Sequence, residues 1–216
     1  MRTHTDIEGV VRSASKAFSE MLADFYPAFG YNDFNEKNIV LQLSQAFHSR
    51  YWHPQQTRKS RIMGTFLELP VCKTITKDKP RRIDGYFYNS NYALFVECKR
   101  LYSKEKSEQV IADIHRLRKW VPALLRYKWI DKTIRKHIPV YRPNRVYQLI
   151  VCSHWDIDSM KSTVNWWEKG SGQEDNHWCQ DDYPTDMKYR SLLIRSYPEW
   201  GDYYWLYCYA AIDITD

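Results

Sequence analysis

Arg82-Ile83-Asp84-Gly85-Tyr86-Phe87-Tyr88, a polar break at Asn89-Ser90-Asn91, and Tyr92-Ala93-Leu94-Phe95-Val96-Glu97-Cys98-Lys99 make up the stretch that decides the fold. Both runs are rich in aromatic and β-branched residues and are separated by turn formers, the pattern of two strands in a hairpin. Ala93-Leu94-Phe95-Val96 is apolar at consecutive positions and therefore on both strand faces, which predicts a strand covered on both sides. A Ser90-Asn91 loop, or any even-numbered loop on the same centre, sets Tyr86 opposite Phe95, Tyr88 opposite Ala93 and Asp84 opposite Glu97.

Working outward, Met63 to Val71 reads as a further strand, with Pro70 placing it at an edge or ending it early, and Lys77-Asp78-Lys79-Pro80 reads as a charged turn. Upstream lie two amphipathic helices. The first runs from about Ile7 to Phe25 with Val10, Val11, Ala14, Phe18, Met21 and Leu22 on one face and is ended by Pro27 and Gly30. The second follows Asn32-Asp33-Phe34-Asn35, carries Ile39, Val40, Leu43, Ala46 and Phe47 on one face, and stops before Pro54.

Downstream, a long helix from about Ser103 to Tyr127 turns Val110, Ile111, Ile114, Leu117, Val121, Leu124 and Leu125 inward and Arg116, Arg118, Lys119 and Arg126 largely outward, with Pro122 kinking it. Val146 to Cys152 is an apolar run suited to a buried strand. Then come a helix from about Asp158 to Glu168, a polar loop through Pro184, a short helix near Met187 to Ser196, and an aromatic strand from Tyr203 to Ile214. The expectation is an α/β fold with a central mixed sheet flanked by helices, in the order helix, three strands, helix, strand. It forms one domain over 1–216, with a core at about 33–153 and a C-terminal extension of helix and strand at 154–216.

Carboxylates inside apolar strands are costly to desolvate unless they are paired or bind a cation. In the hairpin register above, Asp84 and Glu97 have Cβ atoms ~4.5–5.5 Å apart, so the two charges repel unless a cation lies between them. Strand alternation returns Lys99 to the face of Glu97. Two carboxylates and an ammonium then converge, and hard oxygen ligands without a His/Cys set favour Mg2+ or Mn2+ over zinc.

Asp84 followed by Glu97-Cys98-Lys99 resembles the PD-(D/E)XK nuclease superfamily, the restriction-endonuclease-like fold, and the element order from about Asn35 to Cys152 is similar to its core. The resemblance covers about half of the chain, and Ile83 stands where the family name has Pro. It implies a metal-dependent DNA endonuclease in which Asp84, Glu97 and the Cys98 carbonyl hold Mg2+, with Mn2+ able to substitute, and Lys99 orients or activates water. The tripeptide alone has no specificity, because acid-x-Lys recurs at Asp186-Met187-Lys188 in a polar stretch; the hairpin supplies the weight.

The resemblance also implies a Glu on the preceding helix, which falls on Glu36; the alternative for Glu36 is a capping box in which Asp33 is the N-cap and Glu36 reaches back to it. Gln109 matches a Gln that some subfamilies place behind the metal site. Lys104, Lys106, Arg116, Arg118 and Lys119 are candidate phosphate contacts for DNA. The competing expectations are a non-catalytic nucleic-acid-binding module of the same fold, and a protein-interaction domain whose acidic C-terminal part docks a partner and whose Asp84/Glu97 pair is structural; the alternative for the two acids is a cross-strand cluster on a solvent face in which each pairs with Arg82, Lys99 or Arg100.

Composition agrees with a basic surface. Of the 216 residues, 61–140 hold 18 Lys and Arg against 8 Asp and Glu, whereas 141–216 hold 7 against 12, so the net charge of +6 arises in the middle. A basic block of this kind suits a polyanion. With 7 Gly the chain has no Gly-rich phosphate loop, five Cys without a CxxC spacing give no disulfide framework or zinc site, and the seven His are scattered. Neither an apolar run long enough to span a bilayer nor an export signal is present, so the expectation is a cytoplasmic protein without a membrane. Sequence specificity would come from loops, the C-terminal third, a homodimer or a protein partner. Trp166-Trp167 and Tyr203-Tyr204-Trp205 suit either base stacking or a packed core, the core being favoured.

Overall fold

A computed structural model describes residues 2–24, 35–52, 63–70, 82–126, 143, 145–156, 161–169, 183–198 and 201–213. Several expectations fall outside these residues: the helix stop at Pro27 and Gly30, Pro54, the turn at Lys77 to Pro80, the inward side chains of Leu124 and Leu125, and most of the polar loop before Pro184. The elements in order are α1 (Arg2–Asp24), α2 (Glu36–Tyr51), β1 (Met63–Pro70), β2 (Arg82–Asn89), β3 (Ala93–Arg100), α3 (Lys104–Arg126), β4 (Val146–Asp156), α4 (Lys161–Lys169), β5 (Lys188–Tyr197) and β6 (Gly201–Ala211).

The strands build a six-stranded mixed open sheet in the order β1-β2-β3-β4-β6-β5. Neighbours are antiparallel except β3 and β4, which run parallel because α3 carries the chain back across the sheet. Helices cover both faces. On one face α1 and α2 bury Ile7, Val10, Phe18, Ile39, Leu43 and Phe47 against Phe87, Leu94, Val96, Leu149 and Trp205; on the other, α3 and α4 bury Val110, Ile114, Leu117, Trp166 and Trp167 against Tyr86, Phe95, Ile150 and Leu206. The apolar run of β3 supplies both cores alternately, as its two-faced pattern requires. Among the described residues no helix is long and apolar enough to cross a membrane.

The β2–β3 register is the one read from the sequence, with Tyr86 opposite Phe95 and Tyr88 opposite Ala93. The turn is fixed by Asn89, whose Oδ1 accepts from the N–H groups of Asn91 and Tyr92 at 2.8 and 3.1 Å. Gly85 lets α2 approach the sheet, since a Cβ there would lie 2.9 Å from Val40 Cγ2. Asn35, not Asp33, caps α2 by accepting from the N–H of Lys37 at 3.1 Å, so Glu36 is the first helical residue and the capping-box reading of it fails.

The C-terminal region departs from its expected form. Residues 188–197 form strand β5 rather than a helix. The register slips against β6 between Leu193 and Arg195, so Tyr189 faces the α3 side while Tyr197, eight residues on, faces the α1 side. A bulge moves the buried set to the other face and erases the period-two signal by which a strand is recognised. β5 and β6 continue the central sheet, β6 pairing with β4 from Tyr147–Ala211 to Asp156–Asp202.

Candidate functional site

The site lies at one end of the sheet, where β2 begins, β3 ends and α2 and α3 start. Asp84 precedes Gly85, where the β2–β3 ladder ends with the pair Gly85–Val96, and continuing that register would set it opposite Glu97. Its carboxylate closes the ladder there: Asp84 Oδ2 accepts from the N–H of Cys98 at 2.8 Å. Glu97 is 1% exposed on the α3 face of β3. From α2, Glu36 Oε1 accepts from the N–H of Arg100 at 3.0 Å, which docks the helix start onto the end of β3. Asp84, Glu97, Lys99 and Glu36 thus lie at one end of the sheet.

Two side chains from α3 complete the cluster, and one of them corrects an expectation. Arg116 does not face outward as a phosphate contact; its Nη2 pairs with Glu97 Oε1 and its Nη1 with Asp113 Oδ1 at 2.6 Å. Asp113, buried, also holds Lys99 Nζ at 3.0 Å. The chain Lys99–Asp113–Arg116–Glu97 therefore crosses from sheet to helix. Asp113 escaped the sequence reading although its signal was present: it falls beside Val110, Ile114, Leu117 and Val121 on the buried stripe of α3, where an acid needs a partner.

Glu68 is a second residue that the sequence did not single out. It sits in the β1 frame across from Asp84, between the pairs Leu67–Gly85 and Leu69–Ile83. It is the one non-glycine with positive φ among the described residues, at 56°, and it pairs with Lys37 at 3.4 Å and Arg82 at 3.6 Å. A left-handed residue inside a strand costs ~1–2 kcal/mol, and nothing in its sequence context signals it.

Arg118 pairs with Asp186 at 2.8 Å, Lys104 and Lys119 are exposed, and Lys106 Nζ donates to Gln109 Oε1 at 3.0 Å. Gln109 in turn donates to Glu105 at 3.2 Å, so its two amide contacts stay on its own helix and the role behind a metal does not emerge. Trp166, Trp167 and Trp205 are buried, in agreement with the packed-core reading.

Electrostatically the cluster is short of positive charge, with the carboxylates of Asp84, Glu97 and Asp113 facing the cations of Lys99 and Arg116. Burial, then repulsion from Asp84 and Asp113, pushes the Glu97 carboxyl up to about 8 against the opposing pull of Arg116 and Lys99. Burial works to lower Lys99, but Asp113, Glu97 and Asp84 outweigh it and hold its ammonium above the usual lysine range. Asp113→Asn should lower the Glu97 midpoint, since it removes one repelling charge and releases both cations toward Glu97. A carboxyl 13C NMR titration checks this; an unchanged or higher midpoint contradicts it.

Among the described residues no group of three or more His, Cys, Asp or Glu side chains is arranged to hold a metal ion. The donors nonetheless suit a hard divalent ion in kind, because Mg2+ retains several waters and is held by one or two carboxylates plus substrate phosphate. No protein-family model, curated protein or solved structure matches this chain.

Proposed function

We propose that this chain is a metal-dependent nuclease hydrolysing DNA phosphodiester bonds, with a restriction-endonuclease-like core similar to that of PD-(D/E)XK enzymes. The observation that supports the reading best is the buried Glu97 across from Asp84, in a cluster with fewer cations than carboxylates and with Lys99 on the same strand face. The element order helix, three strands, helix, strand from α2 to β4, which the resemblance implies, also supports the reading.

Asp84, Glu97 and the Cys98 carbonyl would hold the ion, with Glu36 at the margin. When bound, Mg2+ or Mn2+ polarises the scissile phosphate and lowers the pKa of a coordinated water. Lys99, whose ammonium is held above the usual lysine range by Asp113, Glu97 and Asp84, would orient or activate the attacking water. Asp113 orients Lys99, and the burial of Glu97 keeps bulk water from screening the site.

The test is incubation of the purified chain with single-stranded and duplex DNA in Mg2+ or Mn2+, with EDTA as control. Products that disappear with EDTA are expected. A second reading, a non-catalytic nucleic-acid-binding module, is favoured by the engagement of Glu97 with Arg116 and of Lys99 with Asp113, which leaves the cluster partly self-neutralised. It predicts salt-sensitive DNA binding indifferent to EDTA and no products. Absence of DNA affinity even at low salt sinks both and leaves a protein-interaction domain.

A further inference from the structure

At the connection between β3 and α3 stands Tyr102, with 48% of its surface exposed. The other large hydrophobic residues exposed among the described residues, Leu41, Leu67 and Leu193, are aliphatic, whereas the tyrosines of the sheet are mostly buried in its two cores. Two cations lie over the Tyr102 ring: the Arg100 guanidinium carbon is 6.0 Å and Lys106 Nζ 5.9 Å from the centroid. A half-exposed ring with two positive groups over it matches a nucleotide in chemistry, the exposed part of the ring stacking on the base and the cations facing its phosphates.

Its place in the chain is equally specific. Tyr102 follows Lys99 by three residues, so the two Cα atoms are at most about 11 Å apart, a reach of a few nucleotides. Lys37, with 70% of its side chain exposed, and Arg82, with 53%, lie at the same end of the sheet, on α2 and β2. Inside an intact duplex each base face is already covered by its neighbour, so an exposed protein ring reaches a base only where that base is unpaired.

We infer that Tyr102, with Arg100 and Lys106, is a stacking platform for an unpaired base beside the Asp84–Glu97–Lys99 site, and that the substrate is single-stranded DNA or DNA with a frayed or displaced strand. The inference deepens the nuclease reading and rests on it for the role of the site, but its test does not need cleavage. Binding of a labelled oligothymidylate and of a fully paired blunt duplex with GC-rich ends is measured by fluorescence anisotropy in EDTA, for the wild-type chain, Tyr102→Ala and Tyr102→Phe.

Tyr102→Ala should bind the single strand about tenfold more weakly, the effect of one lost base stack. Tyr102→Phe should bind like the wild type, since it keeps the π face. Duplex binding should be unchanged in both variants, and the salt dependence of single-strand binding should stay constant because no phosphate contact is removed. Equal single-strand binding by Tyr102→Ala and wild type overturns the proposal. So does a parallel loss on the duplex, a loss in Tyr102→Phe as large as in Tyr102→Ala, or no single-strand binding by the wild type. Tyr102-dependent binding without any Mg2+-dependent products removes the nuclease reading alone, whereas cleavage with no Tyr102 dependence of binding removes the platform alone.

Discussion

Asp84→Asn, Glu97→Gln and Lys99→Met should each lower Mg2+-dependent DNA cleavage about a thousandfold or more, equivalent to ~4 kcal/mol of transition-state stabilisation. The choice of variants follows the structure. Asp84 Oδ2 accepts from the Cys98 N–H, so Asp84→Ala would leave a buried donor unpaired, at ~1–3 kcal/mol of stability, whereas Asn keeps an acceptor in place. Lys99→Met retains the aliphatic stem and removes the charge, and Asp113 remains paired with Arg116. Cleavage is read as single-turnover rate beside a thermal melt for each variant. A folded Asp84→Asn or Lys99→Met enzyme with wild-type rates would refute the assignment of the site.

Glu97→Gln should at the same time stabilise the fold at alkaline pH, the reverse of what loss of a well-paired carboxylate does. The sign follows from proton linkage. Glu97 ionises near 8 in the folded chain against an ordinary 4.5, so the folded state binds this proton more tightly than the unfolded state. Stability from this group is therefore full below the ordinary value and is lost as pH rises toward 8. At about 1.4 kcal/mol per pH unit, the ionised Glu97 costs on the order of 3–5 kcal/mol by pH 8. Gln has no proton to lose and can still accept from Arg116. Its melting temperature should match that of the wild type near pH 4.5 and exceed it by roughly 10 °C at pH 8. Equal melting temperatures at pH 8 would show that Arg116 and Lys99 fully offset the burial. A divalent ion held by Glu97 should raise the wild-type melting temperature at pH 8 more than that of Glu97→Gln.

The two residues that give the cluster its electrostatics were differently accessible to sequence reading. Glu97 was legible because four apolar residues precede it and strand periodicity is short, so its partner across the hairpin follows by counting. Arg116 was misplaced because a helix tolerates a long cation near the edge of its apolar stripe, where the stem packs and the head turns either way. Which way it turns depends on Glu97, nineteen residues earlier and on another element. The same holds for β5: Leu192-Leu193-Ile194 satisfies a helical face as well as a strand, and pairing with β6 settles it.

By itself, the sequence determined the hairpin register, the two-sided burial of β3 and the amphipathic helices, because each rests on local periodicity and on chain separations too short to admit alternatives. Tertiary structure alone decided the inward turn of Arg116, its bridge to Asp113, the left-handed Glu68, the docking of Glu36 on Arg100 and the addition of β5 and β6 to the sheet. Those features depend on which charges meet across elements and on where a bulge resets a register, and in such contacts the energy of a side chain is set by neighbours distant in the chain.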